Sequence, residues 1–155
     1  MKNQPDPRND TGASDADVPR FRELDRGEIE EILARNNVGR IAFSLHDRVD
    51  IEPINYVFDA GWIFGRTSHG TKLATIAHHP WVAFEVDEVH SLFHWSSVVV
   101  KGAFYLIDAD TSIRQDPAFN RGVELLRALI PQTLTANDPT PFRNSVFRIR
   151  LDVVT

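Results

Sequence analysis

The stretch Arg66-Thr67-Ser68-His69-Gly70-Thr71-Lys72 gathers two cations, three hydroxyls and a glycine between a predicted strand and a predicted helix. Unpaired amides at a helix start already favour negative charge, so the composition suits an anion, and a phosphomonoester is the natural one. Charge-assisted hydrogen bonds contribute roughly 1.5 to 3 kcal/mol each, enough for a few of them to anchor a cofactor tail. A plainer reading stays open, in which Thr67 and Ser68 cap the helix and Arg66 and Lys72 are solvated. Gly65 and Gly70 have the spacing of a P-loop, but the lysine is out of place by one residue and no parallel βαβ unit surrounds it. A nucleotide triphosphatase is excluded.

Two further segments carry polar and aromatic groups at strand positions. In Glu52-Pro53-Ile54-Asn55-Tyr56 a proline interrupts a strand pattern, where it cannot donate to the ladder. A flat heteroaromatic ring with alternating donors and acceptors could use the freed backbone groups, and Asn55 offers both hydrogen-bond types. An edge strand or a bulge accounts for the proline equally well. In Phe93-His94-Trp95-Ser96-Ser97-Val98 a loop enters a long strand, and Trp95 either walls a planar ligand or packs into the core.

Six histidines invite a metal or haem reading. His90 and His94 fall in a predicted loop, His78 and His79 diverge on a predicted helix, and no Cys or carboxylate set completes a ligand group. They read as surface histidines. No Gly-x-Ser-x-Gly elbow supports a Ser-His-Asp hydrolase. The absence of cysteine removes disulfides, thiolate nucleophiles and iron–sulfur clusters, so redox chemistry must come from a bound group. A formal charge of -5 argues against general nucleic-acid binding. No apolar run approaches the ~20 residues that span a bilayer, and the first twenty residues lack a signal pattern. A cytoplasmic protein without membrane or nucleic-acid partners is expected.

These segments need a frame. Residues 1–20 are polar and rich in turn formers and read as a flexible tail, leaving one domain over 21–155. Asp25 and Glu28 form a capping box with Leu24 and Ile29 as its staple, and Ile29, Ile32 and Leu33 give the helix its buried stripe up to Asn36-Asn37. Strands are predicted over Val38–Leu45, Val49–Phe58, Trp62–Ser68, Trp81–Asp87 and Trp95–Asp108, with a last one through Phe147, Ile149, Leu151 and Val153. The run Val98-Val99-Val100 reads as covered on both faces. Thr71–His79 reads as a short helix. Asp116-Pro117 starts a third helix, whose stripe ends at Pro131. Glu88–His94 is a predicted loop. Short connections make neighbouring strands antiparallel, so the fold class is mainly β (α+β), a six-stranded antiparallel barrel with peripheral helices.

In order, the blocks Val38–Phe43, Pro53-Ile54-Asn55-Tyr56, Arg66-Thr67-Ser68-x-Gly-x-Lys72, Trp81–Val86 and Trp95-x-Ser97-Val98-Val99-Val100-x-Gly102 resemble the pyridoxamine-phosphate-oxidase-like flavin-binding family, nearest its nitroimidazole-reductase-like branch. The resemblance covers about Phe21 to Val154. It implies a split β-barrel, a homodimer with FMN at the interface, and oxidoreductase activity on a small flat molecule. It also implies phosphate contacts from Arg66, Thr67, Ser68, Gly70 and Lys72 and ring contacts from Pro53, Ile54, Asn55, Tyr56, Trp95, Ser97 and Val98, the last three from the other subunit. No catalytic side chain is implied. Alternatives on the same fold are the deazaflavin F420, haem, or a non-enzymatic flavin carrier. Gly65 stands where relatives carry bulk, and His69-Gly70-Thr71 replaces a Pro-Gly-Gly turn. The Arg- and Pro-containing C-terminal segment of authentic pyridoxamine-phosphate oxidases is missing, so vitamin B6 oxidation is not the expected activity.

Overall fold

The computed structural model describes residues 21–45, 47–70, 76, 79–107 and 116–155. Helix α1 (Arg26–Arg35) begins as its sequence dictates: the Asp25 side chain accepts from the Glu28 amide at 2.9 Å, and the Glu28 carboxylate accepts from the Asp25 amide at 2.9 Å. Such a cap contributes about 1 kcal/mol. The helix ends at Asn36 in extended backbone, and the Asn36 amide donates to the Ile32 carbonyl at 2.9 Å and to Glu88 at 2.6 Å. Arg35 adds a two-point ion pair to the same Glu88 at 2.6 and 2.7 Å, tying the helix end to the sheet.

The strands are β1 (Val38–Leu45), β2 (Arg48–Asp59), β3 (Trp62–Thr67), β4 (Trp81–Ser91), β5 (His94–Ile107), β6 (Ser145–Arg150) and the short β7 (Val153–Val154), all pairing antiparallel. Hydrogen bonding follows the order β4-β1-β2-β3-β6-β5-β7, and an additional β4–β5 pairing closes six of the strands into a ring. This is the six-stranded barrel expected, with β7 added along β5. The single last strand expected through Val153 is instead broken after Arg150, where the chain leaves β3 and pairs again with an earlier part of β5.

Closure depends on β5, whose residues 94–103 pair with β4 while 104–107 pair with β6. The turn from one neighbour to the other falls at Gly102, where a Cβ would lie 1.8 Å from the Arg150 carbonyl oxygen, so only glycine fits. Inside the ring Tyr56, Ile63, Phe84, Val86, Val98, Val100, Phe147 and Ile149 are buried, and the stripe of α1 covers one end. Each large apolar side chain so buried contributes roughly 1.5–3 kcal/mol. Val98 and Val100 point inward, but Val99 lies half-buried on the outer face, because successive strand residues alternate sides.

Helix α2 (Pro117–Leu129), capped by Asp116, buries Leu126 against Phe64, Ile107 and Val146 on the outside of β3, β6 and β5. The predicted loop Glu88–His94 is mostly strand: β4 and β5 run on as a hairpin turning at Leu92-Phe93, and the His90 and His94 rings meet at 5.0 Å. Exposure of Val89, Leu92 and Phe93 shows that this hairpin projects into solvent, which hides the alternation of a half-buried strand. The expected helix over Thr71–His79 lies outside the described residues apart from the buried, helical Ile76 and from His79, and so does the expected N-terminal tail.

Two outcomes test this frame. Gly102→Ala lowers the melting temperature by about 10 °C or more in a thermal unfolding scan, since backbone must move to admit the methyl group. Arg35 and Asn36 hold the Glu88 carboxyl down at about 2, below its ordinary value of 4.5. The stabilisation from Glu88 is therefore complete above about pH 4.5 and is lost as pH falls towards 2. Glu88→Gln then costs stability at neutral pH and not at the acid end of that range, as denaturant titrations at the two pH values will show.

Candidate functional site

The barrel wall is not paired all round. Residues 48–55 of β2 pair with β1, whereas only 56–59 pair with β3. Beyond Gly65, Arg66 and Thr67 pair with Val146 and Ser145 of β6, so β3 has moved away from the first half of β2. Pro53 lies in the half with one ladder neighbour among the described residues, where a residue without an N–H is tolerated. A cleft at this opening is lined by Glu52, Ile54, Thr67, Ile76, Phe104 and Phe147, among others. Thr67 at its rim is half-buried, and Ser68, His69 and Gly70 follow it out to the surface. Lys72 lies outside the described residues. Gly65 faces Phe147, whose ring stacks on Phe104 at 4.6 Å and stands 2.4 Å from where a Cβ on residue 65 would be. That ring supplies the bulk for which Gly65 leaves room.

Arg66 has a different employment from the phosphate contact expected of it. It is 7% exposed, and its guanidinium donates to Asp138 at 2.5 and 3.3 Å, to Thr140 Oγ1 at 3.0 Å and to the Arg143 carbonyl at 3.2 Å. Asp138 also accepts from the amides of Leu134 at 2.7 Å and Thr140 at 2.8 Å. A cation taken out of water needs such full compensation. The pair thereby fixes the connection from α2 to β6 against the end of β3. Asn55 and Arg66 line one small cleft with Leu126, Thr133 and Thr140, so the structure does bring these two expected residues together.

The remaining expected residues divide by strand parity. Ile54, Tyr56 and Val98 point inward and are buried. The Tyr56 hydroxyl donates to the Leu33 carbonyl at 2.9 Å and its ring meets Phe84 edge-on at 4.9 Å, while burial pushes the phenol well above its ordinary value. Tyr56 and Val98 can offer a ligand only backbone groups, while the Ile54 side chain also lines the cleft at the open edge of β2. Pro53, Asn55, Trp95 and Ser97 point outward from one face of the sheet β2-β1-β4-β5. Ladder pairing sets Pro53 beside Arg40, Arg40 beside Glu85 and Glu85 beside Val99, so three strand spacings of ~4.8 Å separate the two ends of the face. Arg40 pairs with Glu85 at 3.1 Å and with Asp87, and the Ser97 hydroxyl donates to Glu85 at 3.3 Å. Around this network Val38, Val49, Ile51, Trp81, Val89 and Trp95 are exposed apolar side chains.

Sequence reasoning missed Asp138, Thr140 and Ser145. The Ser145 hydroxyl lies 2.7 Å from His69 Nδ1, across 76 positions of sequence, and no local spacing announces it. Among the described residues no group of three or more His, Cys, Asp or Glu side chains is placed to hold a metal ion.

The Arg66 guanidinium and the two backbone donors hold the Asp138 carboxyl far below the ordinary carboxylate range. Its contribution to stability is therefore complete above about pH 4 and persists well into acid before protonation removes it. Asp138→Asn lowers the melting temperature at pH 7 by more than about 5 °C and speeds hydrogen exchange at the Leu134 and Thr140 amides, measured by mass spectrometry.

Comparison with known proteins agrees with this architecture. Residues 25–155 match the pyridoxamine 5'-phosphate oxidase family. The uncharacterized protein RA0666 of Rhizobium meliloti is 27% identical over 88 residues, which are 57% of this chain and only 58% of that relative. Among solved structures, a FAD-binding protein from Mesorhizobium loti superposes with a TM-score of 0.67 at 22% identity, covering 84% of this chain and 92% of its own. The haem storage protein HutZ of Vibrio cholerae gives 0.64 at 12% identity, covering 84% and 92%. At these identities the structures speak for the fold alone. The closed six-strand ring with its open β2 edge, and a family match running from the α1 cap to the last residue, lead to one assignment: the chain belongs to the pyridoxamine 5'-phosphate oxidase family and has its split-barrel fold.

Proposed function

We propose that this protein is a flavin-dependent oxidoreductase that holds FMN between two copies of itself and acts on a small flat molecule. The observation that carries the reading is the surface segment Thr67-Ser68-His69-Gly70 leaving the barrel beside the open edge of β2. It offers hydroxyls and, beyond Thr67, backbone amides outside the strand ladders, in a place where a Cβ on Gly70 would meet no described atom within 4 Å. A phosphate fits such an uncrowded polar segment, with Lys72 supplying the countercharge. Arg66 supports the segment from behind through Asp138. Family membership adds to the reading.

The bound flavin would supply hydride transfer, which no side chain of a cysteine-free chain offers. The chain supplies the setting. Thr67, Ser68, Gly70 and Lys72 fix the phosphate, while Asn55 and the backbone of Pro53 to Tyr56 orient the polar edge of the ring. Trp95 and Ser97 stand three strands away on the same face, so a second copy is what brings them to that ring. The exposed apolar residues of this face, with its charges already paired to one another, suit burial against a copy of itself.

Haem or F420 on the same fold is a second reading, for which the likeness to HutZ speaks at the level of fold. The absorption spectrum of the freshly purified protein separates them: flavin bands support the proposal, and a Soret band contradicts it. Lys72→Ala weakens FMN binding at least about tenfold, the equivalent of one charge-assisted hydrogen bond, in a fluorescence-quenching titration. Ile51→Glu on the apolar face shifts the protein to monomer in light scattering and weakens FMN binding with it. A stable dimer with unchanged affinity would place the flavin elsewhere.

A further inference from the structure

A cavity of about 390 Å³ lies between the end of β5, the start of β6 and α2, and it shares no lining residue with the cleft at the open edge of β2. Its walls are Leu106, Ile107, Phe119 and Leu134, and its polar groups are His69, Asn144 and Ser145. An apolar pocket of this size with a few convergent polar groups is the ordinary form of a small-molecule site.

Two observations set it apart from a packing gap. Leu134 holds a left-handed backbone with φ of 56°, which a leucine adopts only when its surroundings enforce it. The enforcing contacts are present: its amide donates to the buried Asp138 at 2.7 Å, Asp138 is locked to Arg66, and the neighbouring Thr133 carbonyl accepts from Arg127 at 3.0 Å. A strained residue held by a buried ion pair thus forms one wall. Opposite, Ser145 is only 6% exposed, yet its hydroxyl has a polar partner at 2.7 Å in His69 Nδ1, much closer than Asn144 Oδ1 at 3.5 Å. A hydroxyl that donates to Nδ1 leaves the hydrogen of a neutral imidazole on Nε2. His69 and Asn144 are both exposed at the mouth, so the imidazole and the Asn144 amide present N–H donors there, and among the described residues no carboxylate lines the cavity.

We propose that this cavity is a second ligand site, which takes a small carboxylic acid with an aromatic or branched aliphatic body. The carboxylate accepts from His69 and Asn144, Ser145 holds the imidazole in the required tautomer, and the body lies against Phe119, Leu106 and Leu134. This site adjoins the flavin reading at His69, which belongs to the segment proposed to receive the phosphate, while none of its apolar walls belongs to the cleft at the open edge of β2.

The test is a fluorescence titration of the full-length protein with 2-naphthoate, followed by displacement with benzoate. Saturable binding at one site per chain is expected. His69→Gln reduces the affinity about tenfold or more. Leu134→Gly removes the wall side chain while relieving the left-handed backbone, so it weakens binding several-fold at an undiminished melting temperature. Absence of saturable binding overturns the proposal. So does unchanged affinity in both variants, and so does competitive displacement of 2-naphthoate by FMN, which would merge this cavity with the flavin site.

Discussion

A guanidinium buried from water must be met by an anion and by acceptors on its remaining hydrogens, or the fold does not tolerate it. Arg66 is met by Asp138, Thr140 and the Arg143 carbonyl, all from the connection between α2 and β6. That one pair fixes three things at once. It holds the end of β3 away from the first half of β2, it orients Asp138 to receive the Leu134 and Thr140 amides, and it leads the chain into Ser145 at the start of β6. Removing either partner would leave a charge stranded in the interior, so the pair is a condition for the site and not an ornament on it.

The second constraint is closure. A six-stranded ring has no long exposed edges, but a ring of short strands can close only if one strand serves two neighbours in turn. β5 does so by bending at Gly102, against the Arg150 carbonyl. The geometric consequence is a mismatch elsewhere: β2 is longer than the stretch β3 covers, and its first half has one ladder partner among the described residues. The segment proposed to hold the phosphate emerges at that mismatch. Position and proposed chemistry therefore share a cause, since the opening proposed to admit the ligand is the place where the ladder runs out.

Much of this frame was legible in the sequence because its signals are local. The Asp25 and Glu28 box, the Asp116-Pro117 start and the alternation of Phe147 and Ile149 with arginines in β6 each lie within a few residues, and each appears where it was expected. The hairpin of β4 and β5 was not legible, because a projecting ribbon wet on both faces has no buried side to impose a period. The break after Arg150 was missed for a related reason: Leu151 and Val153 keep the alternation while the chain leaves β3 and pairs again farther back along β5. For the candidate site, local reading singled out the segment at 66–72 and the proline that the structure places on a partly unpaired strand. It could not tell that Arg66 is already satisfied, since its partner stands 72 positions away, nor that Tyr56 and Val98 face inward, since inside and outside depend on which face the ring closes over.

A crystal structure of the FMN-loaded protein at neutral pH addresses the central claim most directly. The account requires Arg66 and Asp138 still joined beneath the ligand, with the phosphate held by the hydroxyls and amides of residues 67–70 and by Lys72. An Arg66 side chain turned outward onto the phosphate, with Asp138 left to find another partner, would contradict it.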